Sequence, residues 1–317
     1  MPDLTLKPVL FENIVVGERF LDQLVTIDDN YVKAHAFATD DYHPWHFSGD
    51  GSPFGRRVAP STALLNELLR LLNTLYDPHF DRGLHQREEF WIESPAFVGE
   101  IVRLSGGITG TYTRRGRNYF VAEAEARSEA DGRLILRHVA IEAAEVGDPS
   151  KLGGGTAESA SSTSRQIVGV YPADAVAVDS ITAGTPVGTP LPIIHKHLDQ
   201  SQVAVYSNVA AFWRTPHTDI EVATAEGLPG TIAQGMMEAS YVAELGLKAF
   251  GPSWFTTGHG ELAFIGPMYP GMGIDVKAVV SAVGAGPAGD RTEIETWVED
   301  SATGAKICVG WLDAIAQ

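Results

Sequence analysis

The chain has 317 residues, of which 44% are hydrophobic and 20% charged, and its formal net charge is −17. This length suits one large domain or two of ordinary size, and the acidity of both halves argues against nucleic acid as a partner. No apolar run reaches the roughly 18 residues of a membrane-spanning helix, and the first residues lack the order of a signal peptide. The single cysteine, Cys308, excludes an internal disulfide and a zinc cluster, so we expect a cytoplasmic protein.

The first half of the chain predicts two helices followed by strands. Thr26 with Asp29 three residues later is typical of a capping box, which would open a short helix through about Ala38. A second helix is expected from Ser61 to about Tyr76, and its seven leucines cover more than one stripe, so it should be deeply buried. Strand-like segments follow at 88–93, 100–110, 117–129 and 133–145.

Sequence features of the first half recur later at a nearly constant separation. Ile27-Asp28 returns as Leu198-Asp199, and His46 returns as His217, in both cases 171 residues on. Between the copies lies Gly153–Ser164, whose Gly, Ser and Thr content is typical of a linker. The pattern predicts a duplicated domain, with a first domain at 1–148, a linker segment at 149–188 and a second domain at 189–317.

The second half repeats the order of the first. A helix is expected over about 235–250, followed by strands at 259–265, 273–283, 291–299 and 305–316. One buried helix per half followed by antiparallel strands predicts an α+β fold in which the sheet wraps around the helix.

The chemistry is concentrated in the loop before the first buried helix. The run Asp41-Tyr-His-Pro-Trp-His46 places a carboxylate and an imidazole five residues apart around Pro44. Proline restricts its own backbone and that of the preceding residue, so a rigid turn could aim both groups at one point. Such a pair suits proton transfer to or from a water molecule. The alternative left open by the residues alone is that Asp41 caps the turn and His46 is a buried structural histidine.

This turn and the segments after it resemble the MaoC-type (R)-specific enoyl-thioester hydratases and dehydratases. That family has Asp-x-Asn-Pro-x-His followed by a His-Gly run into its central helix, and here Phe54-Gly-Arg-Arg-Val-Ala-Pro-Ser61 leads into the leucine-rich helix. Pro95-Ala-Phe-Val-Gly99 is similar to the start of the family's next strand. The segments 230–236 and 267–271 repeat both signatures. The resemblance implies a double hot-dog fold, two hot-dog domains in one chain.

The resemblance also implies a reaction. Asp41 and His46 would bind the water that adds across the α,β double bond of an acyl thioester, carried by CoA or an acyl carrier protein, or would run the reverse dehydration. No cofactor and no metal are implied. A backbone N–H at the start of the central helix would hold the thioester oxygen; because Pro60 has no N–H, the expected donors are Ser61 in the first half and Gly235 in the second.

Departures from the family pattern decide which half we expect to be active. His43 stands where the family has Asn, so it is an auxiliary candidate. In the second half Phe212 stands opposite Asp41, which breaks the pair and predicts that this half binds the acyl chain. The sequence His217-Thr-Asp219 resembles a His-x-Asp found in other double hot-dog proteins, so Asp219 is the alternative acid. The opposing interpretation is that Asp219 caps a helix beginning near Ile220.

Four further residues are candidates for substrate binding. Arg56 and Arg57 flank the turn and could contact phosphates, and Trp45 and Tyr42 could line an acyl pocket or belong to the core. The alternatives to a hydro-lyase are a hot-dog thioesterase, a non-catalytic partner subunit of a hydratase, and a specialised lyase for a non-standard substrate. No motif encodes the acyl group, and the sequence is compatible with a monomer or a homodimer.

Overall fold

The computed structural model describes residues 6–77, 84–147, 165–207, 214–285 and 290–316. The elements of the first half are β1 (Lys7–Pro8), β2 (Gln23–Thr26), α1 (Asp29–Thr39), α2 (Pro44–Phe47), α3 (Leu65–Leu69), β3 (Tyr76–Asp77), β4 (Leu84–Ile92), β5 (Ile101–Arg114), β6 (Arg117–Ser128) and β7 (Leu134–Ala144). Those of the second half are β8 (Ile194–His197), α4 (Gln200–Tyr206), α5 (Ile220–Ala225), α6 (Gly235–Phe250), α7 (Trp254–Thr257), β9 (His259–Phe264), β10 (Gly273–Ala285), β11 (Arg291–Asp300) and β12 (Lys306–Ile315).

Ten of the strands form one antiparallel sheet in the order β2-β5-β6-β7-β4-β9-β12-β11-β10-β8. The two halves join at its centre, where β4 pairs with β9 from Arg87 opposite Ala263 to Trp91 opposite His259. Helix α3 packs against β5, β6 and β7, and α6 packs against β10, β11 and β12. The predicted α+β class is therefore confirmed, and the predicted strands agree with the observed ones to within a few residues at most ends.

The duplication is visible in backbone hydrogen bonds. Gly17 and Gly188, which are 171 residues apart, both have a φ of +88°. Four backbone N–H to carbonyl bonds of the first half have a counterpart in the second. In the first half they run from Gly17 to Ile108, Phe20 to Gly106, Gly99 to Ile27 and Ala59 to Ala96. In the second half, in the same order, they run from Gly188 to Val280, Leu191 to Ala278, Gly271 to Leu198 and Ala233 to Met268. Each element that carries the loop with Asp41 therefore has a counterpart in the second half.

The segment at 149–188 is only partly described, because Gly153–Ser164 lies outside the described residues. The described part packs against the second half: Arg165 forms an ion pair with Glu293, and the Ile181 N–H donates to the carbonyl of Ala249. The repeat also extends back to Gly188, inside the predicted linker segment. The domain bounds themselves stay a prediction.

The cap of the first helix differs from the expectation. Asp28, not Thr26, is the N-cap of α1: its carboxylate accepts from the Tyr31 N–H at 2.7 Å, whereas Thr26 ends β2. The equivalent Asp199 caps α4 in a capping box with Gln202. An acceptor directly before the first helical turn satisfies a free N–H there, which Thr26 is too far back to do.

The long helix predicted for Ser61–Tyr76 was wrong. Only Leu65–Leu69 is α-helical, and a 3₁₀ turn follows at Arg70–Thr74. In an α-helix the Leu71 carbonyl would accept from the Leu75 N–H. Here that carbonyl accepts from the Thr74 hydroxyl at 2.7 Å, and the Leu75 N–H donates to the Leu72 carbonyl instead. Its counterpart α6 runs from Gly235 to Phe250, as predicted.

Candidate active site

The loop that carries the candidate pair is held rigidly at both ends. Helix α1 ends at Asp40, which has a left-handed φ of 52°, and the Asp41 N–H donates back to the Ala36 carbonyl at 3.0 Å. Pro44 then opens α2, and the His43 N–H donates to Asp41 Oδ1 at 3.1 Å. The rigid turn expected from Pro44 is therefore present.

This turn brings Asp41 and His46 together. Asp41 Oδ2 lies 3.4 Å from His46 Nε2, and the His46 side chain is fully buried. On the other side of the ring, His46 Nδ1 lies 2.9 Å from the Val58 carbonyl oxygen. Because a carbonyl only accepts, Nδ1 carries a proton, so Nε2 is the ring nitrogen that faces Asp41.

Opposing effects act on the two groups beside His46. Burial raises the pKa of the Asp41 carboxyl, but His46, Lys196 and the His43 N–H together outweigh it and lower that pKa to about 2. Burial also lowers the pKa of His43, and His46 lowers it further. The arrangement keeps Asp41 ionised and His43 neutral near pH 7.

A cavity of about 10 Å³ lies beside Asp41. Its walls include His35 of α1, Pro60 and Ser61 of the first half, and Glu244 of α6. A space of this size holds about one water molecule when polar groups line it. Both ring nitrogens of His35 are buried without a hydrogen-bond partner among the described residues, and burial lowers the pKa of this ring to about 4.

The predicted oxyanion donors lie at the starts of the two central segments. The Ser61 hydroxyl accepts from the indole N–H of buried Trp254 at 2.9 Å, so a side chain of the second half fixes the residue. Gly235 is the first residue of α6, and a Cβ there would come within 3.2 Å of the Phe264 ring. A helix N-terminus favours developing negative charge, and Gly235 occupies one.

The second half retains the histidine of the pair. His217 Nδ1 lies 2.7 Å from the Ile232 carbonyl, the same bond that His46 makes to Val58. Burial lowers the pKa of His217. Phe212, the counterpart of Asp41, lies outside the described residues.

Asp219 is engaged as a helix cap. It is the N-cap of α5 (Ile220–Ala225): its carboxylate accepts from the Glu221 and Val222 N–H groups and pairs with Arg214. The hydrogen bond from Arg214 is the largest cause of its low pKa, about 2. The geometry matches the capping interpretation of this residue.

The substrate-binding candidates fall in different surroundings. The guanidinium of Arg57 donates to the His46 carbonyl at 2.9 Å and pairs with Asp29 at 2.7 Å. Arg56 is exposed and stacks over the Phe97 ring at 4.4 Å. Tyr42 is 57% exposed.

Trp45 is part of an aromatic cluster. Its ring is 6.2 Å from that of Phe54 and 6.3 Å from that of Phe255, a residue of the second half. In the part of the chain that is described, no group of three or more His, Cys, Asp or Glu residues is placed to hold a metal ion, and no helix is long and apolar enough to span a membrane.

A comparison with known protein families found a match in the second half of the chain. Residues 182–306 match the family model described as MaoC like domain. This part of the chain is similar to MaoC-like domains. This confirms the resemblance found in the sequence, although the matched region is the half that has lost the Asp/His pair. A search of curated proteins gave no sequence match to the chain.

Solved structures show the fold of the whole chain. A MaoC-like dehydratase superposes with a TM-score of 0.72 and 19% identity, over 97% of this chain and 100% of its own. A Mycobacterium tuberculosis protein described as having a double hotdog fold gives 0.66 and 13%, over 96% and 98%. The peroxisomal multifunctional enzyme type 2 from Drosophila melanogaster gives 0.62 and 16%, over 94% of this chain; the chain spans 48% of that enzyme. The predicted double hot-dog fold is confirmed.

The sequence analysis missed three residues beside Asp41, namely His35, Lys196 and Glu244. Lys196 gave a signal in the sequence: alternation along β8 puts it on the same inward face as Ile194, where lysine is rare. His35 and Glu244 gave none, because the walls of the cavity come from segments far apart in the chain.

Proposed function

We propose that the chain is a hydro-lyase that reversibly hydrates a 2-enoyl thioester to a 3-hydroxyacyl thioester at the site of its first half. The observation that carries the proposal is the Asp41–His46 pair, whose side chains lie 3.4 Å apart, with a water-sized cavity next to Asp41. The similarity of the second half to MaoC-like domains supports a hydratase or dehydratase function.

In this proposal His46 is the acid and base. Its Nε2 lone pair takes a proton from water while the water oxygen bonds to C3 of the enoyl group, and electrons move onto the thioester oxygen. The imidazolium then returns the proton to C2, so that one water supplies both the hydroxyl and the hydrogen. Asp41 orients the water, and its negative charge stabilises the imidazolium. Because its pKa is about 2, the Asp41 carboxylate is too weak a base at pH 7 to take the proton itself.

The enolate-like charge on the thioester oxygen needs a donor. The backbone N–H of Ser61 is proposed for this role, because Ser61 borders the cavity with Asp41 and the preceding Pro60 has no N–H. The hydroxyl of Ser61 is already an acceptor for Trp254, so only the backbone group is assigned to the substrate.

The thioester carrier and acyl chain are assigned to different surfaces. Arg56, which is exposed beside the turn, is proposed to contact the phosphates of CoA or of a carrier-protein prosthetic group. The second half, with its broken pair, is proposed to bind the acyl chain.

The test is a spectrophotometric assay of enoyl-thioester absorbance with crotonyl-CoA and longer or branched enoyl-CoAs. Asp41→Asn and His46→Gln should each lower kcat by about two orders of magnitude or more. The matched control is His217→Gln, because His217 occupies the same repeat position and makes the same carbonyl bond. That variant should keep kcat within about twofold of the wild type.

Three other outcomes would contradict the proposal. Release of free thiol during turnover would identify a thioesterase, because hydration leaves the thioester intact. Loss of activity in His217→Gln alone would move the site to the second half. Folded wild-type protein that turns over no thioester in the panel would contradict the hydro-lyase assignment.

A further inference from the structure

Lys196 of the second half reaches into the site of the first. It lies on β8, its side chain is only 3% exposed, and its Nζ pairs with Glu244 Oε2 of α6 at 2.6 Å. The same Nζ donates to the backbone carbonyl of Asp40 at 2.6 Å. A buried ammonium therefore joins the second half to the residue directly before Asp41.

The Asp40 carbonyl that Lys196 binds belongs to a residue with a left-handed backbone conformation. Asp40 adopts a left-handed φ of 52° at the end of α1, a conformation that costs energy for a residue other than glycine. The Asp41 N–H is already fixed on Ala36, so the bond from Lys196 fixes the other end of the Asp40–Asp41 connection. Together they set the direction in which the Asp41 carboxylate leaves the backbone.

Comparison of the two repeats shows that this device is present once. At the 171-residue offset, the counterpart of Lys196 in β2 is Val25. At the 174-residue offset that relates Ala59 to Ala233, the counterpart of Glu244 is Arg70. The first half thus has an apolar residue, Val25, where the second half has the buried ammonium of Lys196. The buried lysine therefore contacts the half of the chain whose Asp/His pair is intact.

We infer that Lys196 is a positioning residue of the first-half site, contributed by the second half to orient the Asp41 turn and to place a positive charge beside it. The inference deepens the proposed function and rests on it. It also gives the second half a role at the site of the first half, in addition to the proposed acyl binding.

Other charged and titratable groups also face Asp41. His46 and His43 belong to the same turn, His35 comes from α1, and Glu244 comes from the cavity wall on α6. Glu244 carries the opposite charge to Lys196, but its second oxygen pairs with Lys248 at 2.8 Å. Of these groups His46 lowers the pKa of Asp41 most, and the charge of Lys196 lowers it further.

The test compares Lys196→Met with Lys196→Gln. Methionine removes both the charge and the donor, whereas glutamine removes the charge and keeps an N–H that can reach the Asp40 carbonyl. The pKa of Asp41 is read from ¹³C NMR of the aspartate carboxyl carbons, with the Asp41 signal assigned by its absence in Asp41→Asn. Both variants should raise this pKa by about one unit. The kcat should fall about tenfold in the Met variant and less in the Gln variant, with KM unchanged.

The matched control is Lys277→Met, which removes a mostly buried lysine paired with Glu299 in the same half. It should leave the Asp41 titration unchanged. An Asp41 titration in Lys196→Gln that matches the wild type would overturn the inference, even if Lys196→Met did not fold. Because NMR does not require turnover, a raised pKa in a protein that hydrates no thioester would refute the proposed function while keeping the positioning role.

Discussion

The carbonyl oxygen of Val58 lies 2.9 Å from Nδ1 of His46, and this contact determines which ring nitrogen is available for chemistry. A proton held on Nδ1 leaves Nε2 as the basic atom, on the side of Asp41. The same arrangement at His217 and Ile232 shows that the backbone acceptor belongs to the hot-dog repeat itself. The ring is therefore anchored in the same way in both halves.

The separate roles of the two nitrogens can be tested with His46→Asn and His46→Gln. An asparagine amide can take the place of Nδ1 and keep the bond to Val58, whereas a glutamine amide lies closer to the place of Nε2. Both variants should lose about two orders of magnitude or more in kcat. The Asn variant should be the more stable by about 1 kcal/mol in urea unfolding, because the buried carbonyl keeps its donor. An Asn variant with wild-type kcat would show that Nε2 is not the base.

His35 should make the protein sensitive to acid. In the folded chain burial lowers its pKa from 6.5 to about 4. The unfolded chain therefore binds a proton first as the pH falls from 6.5 to 4, and stability is lost over that window, by up to about 3 kcal/mol. Removing the imidazole in His35→Gln should flatten the pH dependence of the free energy of unfolding between pH 7 and pH 4.

Urea unfolding of both proteins at four pH values measures this slope, and the midpoint of the His35 Cε1 resonance gives its pKa directly. His195→Gln is the control, because His195 is exposed on β8. A His35 midpoint near 6.5, with parallel slopes for wild type and His35→Gln, would contradict the prediction.

The strands were predictable from the sequence because their alternating burial is local, as at the start of β5, where Val102 and Leu104 are buried and Ile101 and Arg103 are exposed. The first central helix was not, because the leucines that predict its burial say nothing about the Thr74 hydroxyl that takes the Leu71 carbonyl. Leucines at helical spacing are buried equally well in a mixed α and 3₁₀ segment.

The candidate site was also predictable from the sequence only in part. The turn from Asp41 to His46 was predictable because Pro44 restricts it locally. The walls around it were not, because His35, Ser61 and Glu244 meet only when α1, the start of the first central segment and α6 pack together. The contact of Lys196 with Asp40 spans 156 residues of sequence and depends on the pairing of the two halves.

Asp219 should contribute to folding and not to turnover. Its carboxylate is already used by two backbone N–H groups of α5 and by Arg214. Asp219→Ala should lower the midpoint of thermal unfolding, and Asp219→Asn should lower it less, because asparagine is also a good N-cap. Both variants should keep kcat within about twofold. A fall in kcat of tenfold or more in Asp219→Asn, with the thermal midpoint unchanged, would favour a second-half acid.

Replacing the Ser61 side chain should lower stability and leave catalysis largely unchanged, because the hydroxyl and the backbone N–H have different partners. Ser61→Ala leaves the indole N–H of fully buried Trp254 without its acceptor, which should cost about 1–3 kcal/mol of unfolding free energy. The kcat should stay within a few-fold, since the backbone N–H proposed for the thioester oxygen is retained. Trp254→Phe removes the orphaned donor, so in the double variant the Ser61→Ala substitution should cost much less than it does alone. Urea unfolding and the hydration assay on the four proteins measure both quantities, and a kcat loss of two orders of magnitude in Ser61→Ala would assign the oxyanion contact to the hydroxyl instead.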